Sequence, residues 1–299
     1  VFAKNNLGGN VEDFGVVDQG VIKNGTITAY QTMVGLPAAT TLAQYQVYQQ
    51  HLNVTEYVDY MLLHFFIGHH DWATSGNSGT KNWSAIRKRV AGPEGTFRFI
   101  PWDGECILLN EDVNRTTVPG PDYPGGLHGD LDDSPEYRLL FADRVHRHMI
   151  APGGGLRREA NMARWQKWQA VLDKPIVAES VRWGDYRRDV HNSSEGTYQL
   201  YTREGFWLPE NARMLTYFTN RPNFVLAQLR ATNLYPTVSA PVLSQHGGHV
   251  ARNFAFTITA TNNIYYTLDG SDPREFGTST IAAGASTYTN GAIVLSNSV

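Results

Sequence analysis

Three side chains that can bind a metal through oxygen lie at the borders of a short hairpin-like stretch. Asp71 and Asn82 precede the hairpin, and Asp103 follows it. The hairpin is predicted by two β-prone runs, residues 83–89 and 96–102, which are joined by the Gly/Pro turn VAGPEG. An amide and a carboxylate are therefore expected at its open end, with a second carboxylate close by in sequence.

The pairing of the two runs decides whether these oxygens converge. If the strands are antiparallel and Trp83 faces Trp102, then Asn82 faces Asp103 across the open end. Directly opposed residues have Cα atoms roughly 4.5–5.5 Å apart, which suits a hard, oxygen-binding cation such as Mg²⁺. The alternative is that Asp and Asn simply end the strands.

A buried helix is predicted to hold this stretch in place. Between Asn53 and Gly68, apolar residues recur at three- and four-residue steps and form a buried stripe. Its members are Val54, Tyr57, Val58, Met61, Leu62, Phe65 and Phe66. Gly68 is a typical C-terminal cap, so we expect Asp71 to emerge on a loop just past a rigid element.

The same region offers a zinc alternative made by His64, His69, His70 and Asp71. The step from His64 to His69 is five residues, whereas zinc-binding helices usually space their ligands four apart. A serine hydrolase is disfavoured because the chain has no GxSxG sequence.

The order of the oxygen side chains matches phosphoryl transfer. Protein kinases use a base Asp, then a metal-binding Asn, and later a metal-binding Asp. Here Asp71, Asn82, the hairpin and Asp103 follow that order. Kinases place four residues between the base and the Asn, whereas ten separate them here.

The surrounding motifs make the likeness more specific. The chain contains EYVDYMLLHFFIGHHDW, KNWSAIRKR and FRFIPWDGE. These strings resemble the spore-coat CotH kinase family of atypical secreted protein kinases, whose usual pattern is GNxDW, a KNW strand and then PWDxD. The likeness covers roughly residues 1–236. The later string IYYTLDGSDPR resembles the β-sandwich at the C-terminus of chitobiases and hexosaminidases.

The resemblance implies an ATP- and Mg²⁺- or Mn²⁺-dependent Ser/Thr protein kinase. Asp71 matches the catalytic base, and Asn82 and Asp103 match the metal-binding pair. Glu105 stands for the second acid of PWDxD and implies a third metal ligand. His69 stands where Asn is usual, which leaves open a non-catalytic pseudokinase scaffold or surface-attachment module.

The nucleotide-binding lysine that the resemblance implies is expected upstream of Val1. Lys4 and Lys23 are interpreted as solvated surface residues. The start at Val1 and the strand-like run at the other end suggest a fragment of a longer protein, one that we expect to be inactive by itself.

The fold expected is α+β: a kinase-like, mostly helical C-terminal lobe (1–236) with a β-hairpin at the site, then a truncated immunoglobulin-like β-sandwich (237–299). Residues 119–135, rich in Gly, Pro and Asp, are predicted to be a surface loop. A helix over 211–229 is predicted as one piece, or as two interrupted at Arg221-Pro222.

Composition limits the partners. The net charge of −3 and the absence of a long apolar run predict neither nucleic-acid binding nor a membrane span. The single cysteine, Cys106, excludes an internal disulfide. The resemblance implies an extracellular or cell-envelope location, a protein substrate, and possible carbohydrate or cell-surface contact through the C-terminal domain.

Overall fold

The computed structural model describes residues 5, 7–72, 81–117, 124–190 and 200–295. Helices and antiparallel sheets are both present, which is compatible with the predicted α+β class. The principal sheet has the order β2-β1-β3-β4. Its antiparallel strands are β1 (Phe14–Asp18), β2 (Val21–Asn24), β3 (Trp83–Lys88) and β4 (Arg98–Pro101). The predicted hairpin is therefore half of a four-stranded sheet.

Nine helices follow one another along the described residues. They are α1 (Thr28–Val34), α2 (Leu42–His51), α3 (Val54–Ile67), α4 (Pro124–Asp132), α5 (Pro135–Val145), α6 (Arg158–Leu172), α7 (Pro175–Trp183), α8 (Tyr186–Asp189) and α9 (Leu208–Ala231). Within this part of the chain, no helix is long and apolar enough to cross a membrane.

Helix α3 is the centre of the core, as its apolar stripe predicts. Every residue of that stripe is buried. The Asn53 side chain accepts a hydrogen bond from the backbone N–H of Glu56 and caps the N-terminus. The rings of Tyr57 and Tyr60 contact Phe99 of the sheet at 5.5 and 5.6 Å between centroids. The helix is thus fixed against the hairpin by aromatic contacts.

The register of the hairpin differs from the predicted one by one residue. Trp83 pairs with Pro101, and Ser84 with Ile100. Side chains alternate along a strand, so a shift of one residue exchanges the two faces of the sheet. Trp83 is fully buried while Trp102 is 61% exposed. Burial of Trp83 beside Phe99 accounts for this register.

The predicted surface loop over 119–135 is wrong in its second half. Helix α4 begins at Pro124, and its Gly125, Gly126, Leu127 and His128 are buried. The Tyr57 hydroxyl donates to the carbonyl of Pro124. A composition typical of loops is therefore buried here as a helix. Residues 118–123 lie outside the described part of the chain.

Helix α9 is continuous through Pro222, which settles the alternative that the sequence left open. A proline removes one helical hydrogen bond and crowds the preceding turn. Here the turns on both sides are anchored, since Phe218, Arg221 and Val225 are all buried. Tertiary contacts therefore keep the helix intact.

The tail after α9 is built of short antiparallel strand pairs. They are β5 (Val242–Leu243) with β7 (Ile258–Thr259), β6 (Phe254–Phe256) with β10 (Ile293–Leu295), and β8 (Tyr265–Tyr266) with β9 (Ser286–Thr287). A bidentate ion pair joins the tail to α5: Arg274 Nη1 and Nη2 lie 2.7 and 2.9 Å from the two carboxylate oxygens of Glu136.

Candidate functional site

The site begins where α3 ends. Gly68 adopts a left-handed conformation with φ of +61° and caps the helix. A Cβ atom at this position would lie 2.4 Å from Val113 Cγ1, so both backbone conformation and space favour glycine. His69, His70 and Asp71 follow directly after this turn.

A fully buried arginine fixes the same helix end. Arg221 of α9 donates to the carbonyl oxygens of Phe65, Phe66, Glu111 and Val113. Two of these carbonyls belong to the last turn of α3, where the helix dipole favours a cation. Burial lowers the pKa of Arg221. The guanidinium thus joins α9, the end of α3 and the loop after the hairpin.

Two backbone hydrogen bonds bring the segment after β4 alongside the segment after α3. The N–H of Leu108 donates to the Ile67 carbonyl, and the N–H of His70 donates to the Cys106 carbonyl, both at 2.8 Å. Asp71 is therefore held next to Glu105 and Cys106. Their ligand atoms, one carboxylate oxygen from each acid and the Cys106 sulfur, all lie within 4.8 Å of one another.

Asn82 and Asp103 border the hairpin as predicted, but they are not a strand pair. Both have left-handed backbones, with φ of +65° and +53°, so each lies where the chain leaves its strand. Asn82 is buried, and its Nδ2 donates to the main-chain oxygen of Asp71 at 3.3 Å. The expectation that Asn82 faces Asp103 across the ladder is wrong because the register is shifted.

The Asp103 and Glu105 carboxylates influence each other. A backbone hydrogen bond is the largest single effect on Glu105 and lowers its pKa. A side-chain hydrogen bond with Asp103, together with the charges of Asp103 and Asp71, outweighs that effect and raises the pKa above its ordinary value. Asp71 and Asp103 thus both lie close enough to act on the Glu105 carboxylate, and a bound cation would relieve that repulsion.

The four residues of the zinc alternative do not point at one centre in the described structure. His64 Nδ1 and His69 Nδ1 lie 3.1 Å apart and share one hydrogen bond. The His70 ring and carbonyl both face the guanidinium of Arg115, at 2.7 and 2.6 Å. Within the described residues, the three side chains close enough together to share a metal ion are Asp71, Glu105 and Cys106 instead.

Two members of the site had no role in the sequence-based hypothesis. Cys106 was considered only for disulfides, yet its sulfur lies in the carboxylate cluster. Arg115 lies beyond the hairpin, and the charge of Asp71 acts on its guanidinium, where burial lowers the pKa and Asp71 opposes that change. The position of Cys106, three residues after Asp103, was the one available signal.

Lys4 and Lys23 are both predicted to be solvated surface residues, and the structure describes one of them. Lys23 is about half exposed and lies 3.8 Å from the Asp18 carboxylate, which agrees with a surface role. Lys4 falls outside the described residues. The chain matches no protein-family model and no curated protein.

Proposed function

We propose that this chain is part of an ATP- and divalent-metal-dependent Ser/Thr protein kinase of the CotH type. In this proposal residues 1–236 form a kinase-like C-terminal lobe, and residues 237–299 belong to an immunoglobulin-like sandwich. The observation that carries the proposal is the group of carboxylates from Asp71, Asp103 and Glu105 at the end of a buried helix.

The donor set suits a hard cation. Asp103 and Glu105 offer carboxylate oxygens, and Asn82 offers its Oδ1, since an amide nitrogen has no lone pair for a metal. Mg²⁺ and Mn²⁺ bind oxygen ligands of this kind. The Cys106 thiol is a softer ligand that Mg²⁺ does not use. A bound cation would neutralise charge on the nucleotide phosphates.

Asp71 is the base in this mechanism. Its carboxylate orients the acceptor hydroxyl of a Ser or Thr side chain and accepts the proton that the hydroxyl loses. The side chain is about one-third exposed, so an acceptor can reach it. The proposal includes an extracellular or cell-envelope location and a protein acceptor.

Transfer of labelled phosphate from ATP tests the proposal. The full-length protein is incubated with Mg²⁺ or Mn²⁺ and dephosphorylated casein, with autophosphorylation scored in parallel. We expect Asp71→Asn and Asp103→Ala to reduce incorporation about 10²–10⁴-fold. Glu94→Gln is the matched control, since Glu94 is an exposed acid at the turn of the same hairpin, paired with Lys88. Equal incorporation by all four proteins would contradict the assignment.

A non-catalytic attachment module is the second candidate. It is favoured by a cleft of about 830 Å³ in the tail, which is lined by both polar and apolar side chains, among them Gln245, Arg252, Phe256 and Leu268. Such a cleft suits a carbohydrate or another cell-surface ligand. Calorimetry with Mg·ATP separates the two, because an attachment module without a nucleotide site releases no heat of binding.

A further inference from the structure

His69 joins the two acids that flank the hairpin. The side chain is 1% exposed. Its Nε2 lies 3.1 Å from Asp71 Oδ1 and 3.2 Å from the main-chain oxygen of Asp103. Its Nδ1 lies 3.1 Å from Nδ1 of His64. The buried His69 ring therefore contacts His64 near the end of α3, the Asp71 carboxylate, and the main chain of Asp103 just after β4.

The neighbours of Nε2 decide where its proton lies. Both neighbours, a carboxylate oxygen and a carbonyl oxygen, can only accept a hydrogen bond. Nε2 must therefore carry hydrogen, and the better-directed bond goes to the Asp103 carbonyl. The Asp71 Oδ1 atom is buried, lies 3.1 Å from this nitrogen, and has no well-directed hydrogen bond among the described residues.

The proton on His64 follows from the one on His69. A neutral His69 that carries hydrogen on Nε2 has a bare Nδ1, which must accept from Nδ1–H of His64. His64 Nε2 is then bare, and it has no hydrogen-bond partner among the described residues. The opposite arrangement would bury an N–H group at that position without an acceptor, which is unfavourable. A cationic His69 is disfavoured for the same reason, because its Nδ1–H would require a bare Nδ1 on His64 and so leave an N–H without an acceptor at His64 Nε2.

Packing of the His64 and His69 rings fixes their orientation, so the tautomer of one determines the tautomer of the other. His64 stacks on Trp72 with centroids 4.1 Å apart and planes 9° apart, and on His69 at 5.1 Å and 10°. The Trp72 indole N–H donates to the Tyr60 hydroxyl at 2.6 Å. Rotation of either imidazole would require the whole aromatic stack to move.

We propose that His69, held in its Nε2–H tautomer by His64, is a positioning residue that sets the mutual arrangement of Asp71 and Asp103. The proposal rests on the proposed function for its catalytic consequence, since these two acids are the base and a metal ligand there. His69 touches neither acceptor nor nucleotide. It acts by donating its Nε2–H to the Asp103 main-chain oxygen while the same edge of the ring lies against the Asp71 carboxylate, 3.1 Å away.

The first test compares three variants of the full-length protein. His69→Ala removes the donor, whereas His69→Gln can supply an amide N–H near the former Nε2. We expect His69→Ala to lower kcat and the affinity for Mn²⁺ each about 10–100-fold while KM for ATP stays unchanged, and His69→Gln to restore most of both. His128→Gln is the matched control, because it makes the same change at another buried histidine outside the site.

The second test observes the tautomers without any activity. Two-bond ¹H–¹⁵N correlation spectra of histidine-labelled protein distinguish protonated from bare ring nitrogens. We expect hydrogen on Nε2 of His69 and on Nδ1 of His64, with assignments from His64→Phe. A proton on Nδ1 of His69 would overturn the proposal.

The two tests separate this proposal from the proposed function. If the wild type transfers no phosphate, but the tautomers are as expected and His69→Ala weakens Mn²⁺ binding, the kinase function fails and the positioning role stands. If His69→Ala leaves both kcat and Mn²⁺ affinity at wild-type values, the positioning role is refuted whatever the protein catalyses.

Discussion

Replacement of Arg221 by methionine should destabilise the protein strongly and loosen the candidate site. The arginine is completely buried, and its guanidinium donates to the carbonyls of Phe65, Phe66, Glu111 and Val113. Methionine fills similar volume but has no hydrogen to donate. The variant therefore tests how much of the geometry at the end of α3 depends on one side chain.

The magnitude follows from the carbonyls that lose their donor. The Tyr217 hydroxyl and the Gln228 amide also donate to two of the four, so Arg221→Met leaves mainly the Phe65 and Glu111 carbonyls unpaired. Each buried unpaired carbonyl is worth about 1–3 kcal/mol. Removal of a buried charge offsets part of that loss. We expect the free energy of unfolding to fall by about 3 kcal/mol.

Urea denaturation followed by tryptophan fluorescence measures this change. The matched control is Arg213→Met on the same helix, because Arg213 also donates to backbone carbonyls, those of Leu108 and Leu109, but is 42% exposed. The Arg213→Met substitution should change the free energy of unfolding by less than about 1 kcal/mol. Mn²⁺ affinity should fall in Arg221→Met and not in the control. Equal effects of the two substitutions on stability would refute the argument.

Three further results are expected. Gly68→Ala should lower stability by about 3 kcal/mol in urea denaturation, because the left-handed backbone is strained by a side chain and the new methyl group would collide with Val113. Burial lowers the pKa of His128 to about 3, so the unfolded chain takes up a proton near pH 6.5 that the folded chain does not. The contribution of His128 to the free energy of unfolding is therefore fully present above pH 6.5, and it should fall by about 2 kcal/mol from pH 7 to pH 5. His128→Gln should remove this part of the dependence of stability on pH. An unchanged pH dependence in the variant would contradict the assignment to His128. Arg274→Met should lower the thermal midpoint and speed proteolysis of the tail, because the buried carboxylate of Glu136 loses its bidentate partner; a tail that is cleaved at the wild-type rate would show that this ion pair does not hold it.

The ion pair between Arg274 and Glu136 attaches the tail to α5. The sequence predicts a lobe (1–236) and a separate sandwich (237–299), without any contact between them. In the structure the Glu136 carboxylate also accepts the backbone N–H of Gly277, at 3.1 Å. The string LDGSDPR thus contributes Arg274 to a contact with the helical part, so one of its charged residues has a structural role within the chain.

Local patterns in the sequence were sufficient for the elements that carry the site. The buried stripe of α3 and its Gly68 end are set by neighbours a few residues apart, and both predictions are confirmed. The β-prone runs on either side of VAGPEG also form paired strands. Periodicity and capping are short-range effects, so a single sequence is enough to determine them.

Tertiary structure alone decided how these elements meet. The register of the hairpin depends on the burial of Trp83 against distant aromatic rings, and the glycine-rich run of α4 is buried as a helix where its composition predicts an exposed loop. The cluster of Asp71, Glu105 and Cys106 depends on two hydrogen bonds between segments nearly forty residues apart in sequence. The sequence by itself determined which side chains could do chemistry and which helix presents them. Long-range packing decided which of them touch, because burial and hydrogen-bond pairing are satisfied by the whole fold at once and leave no local periodic signal.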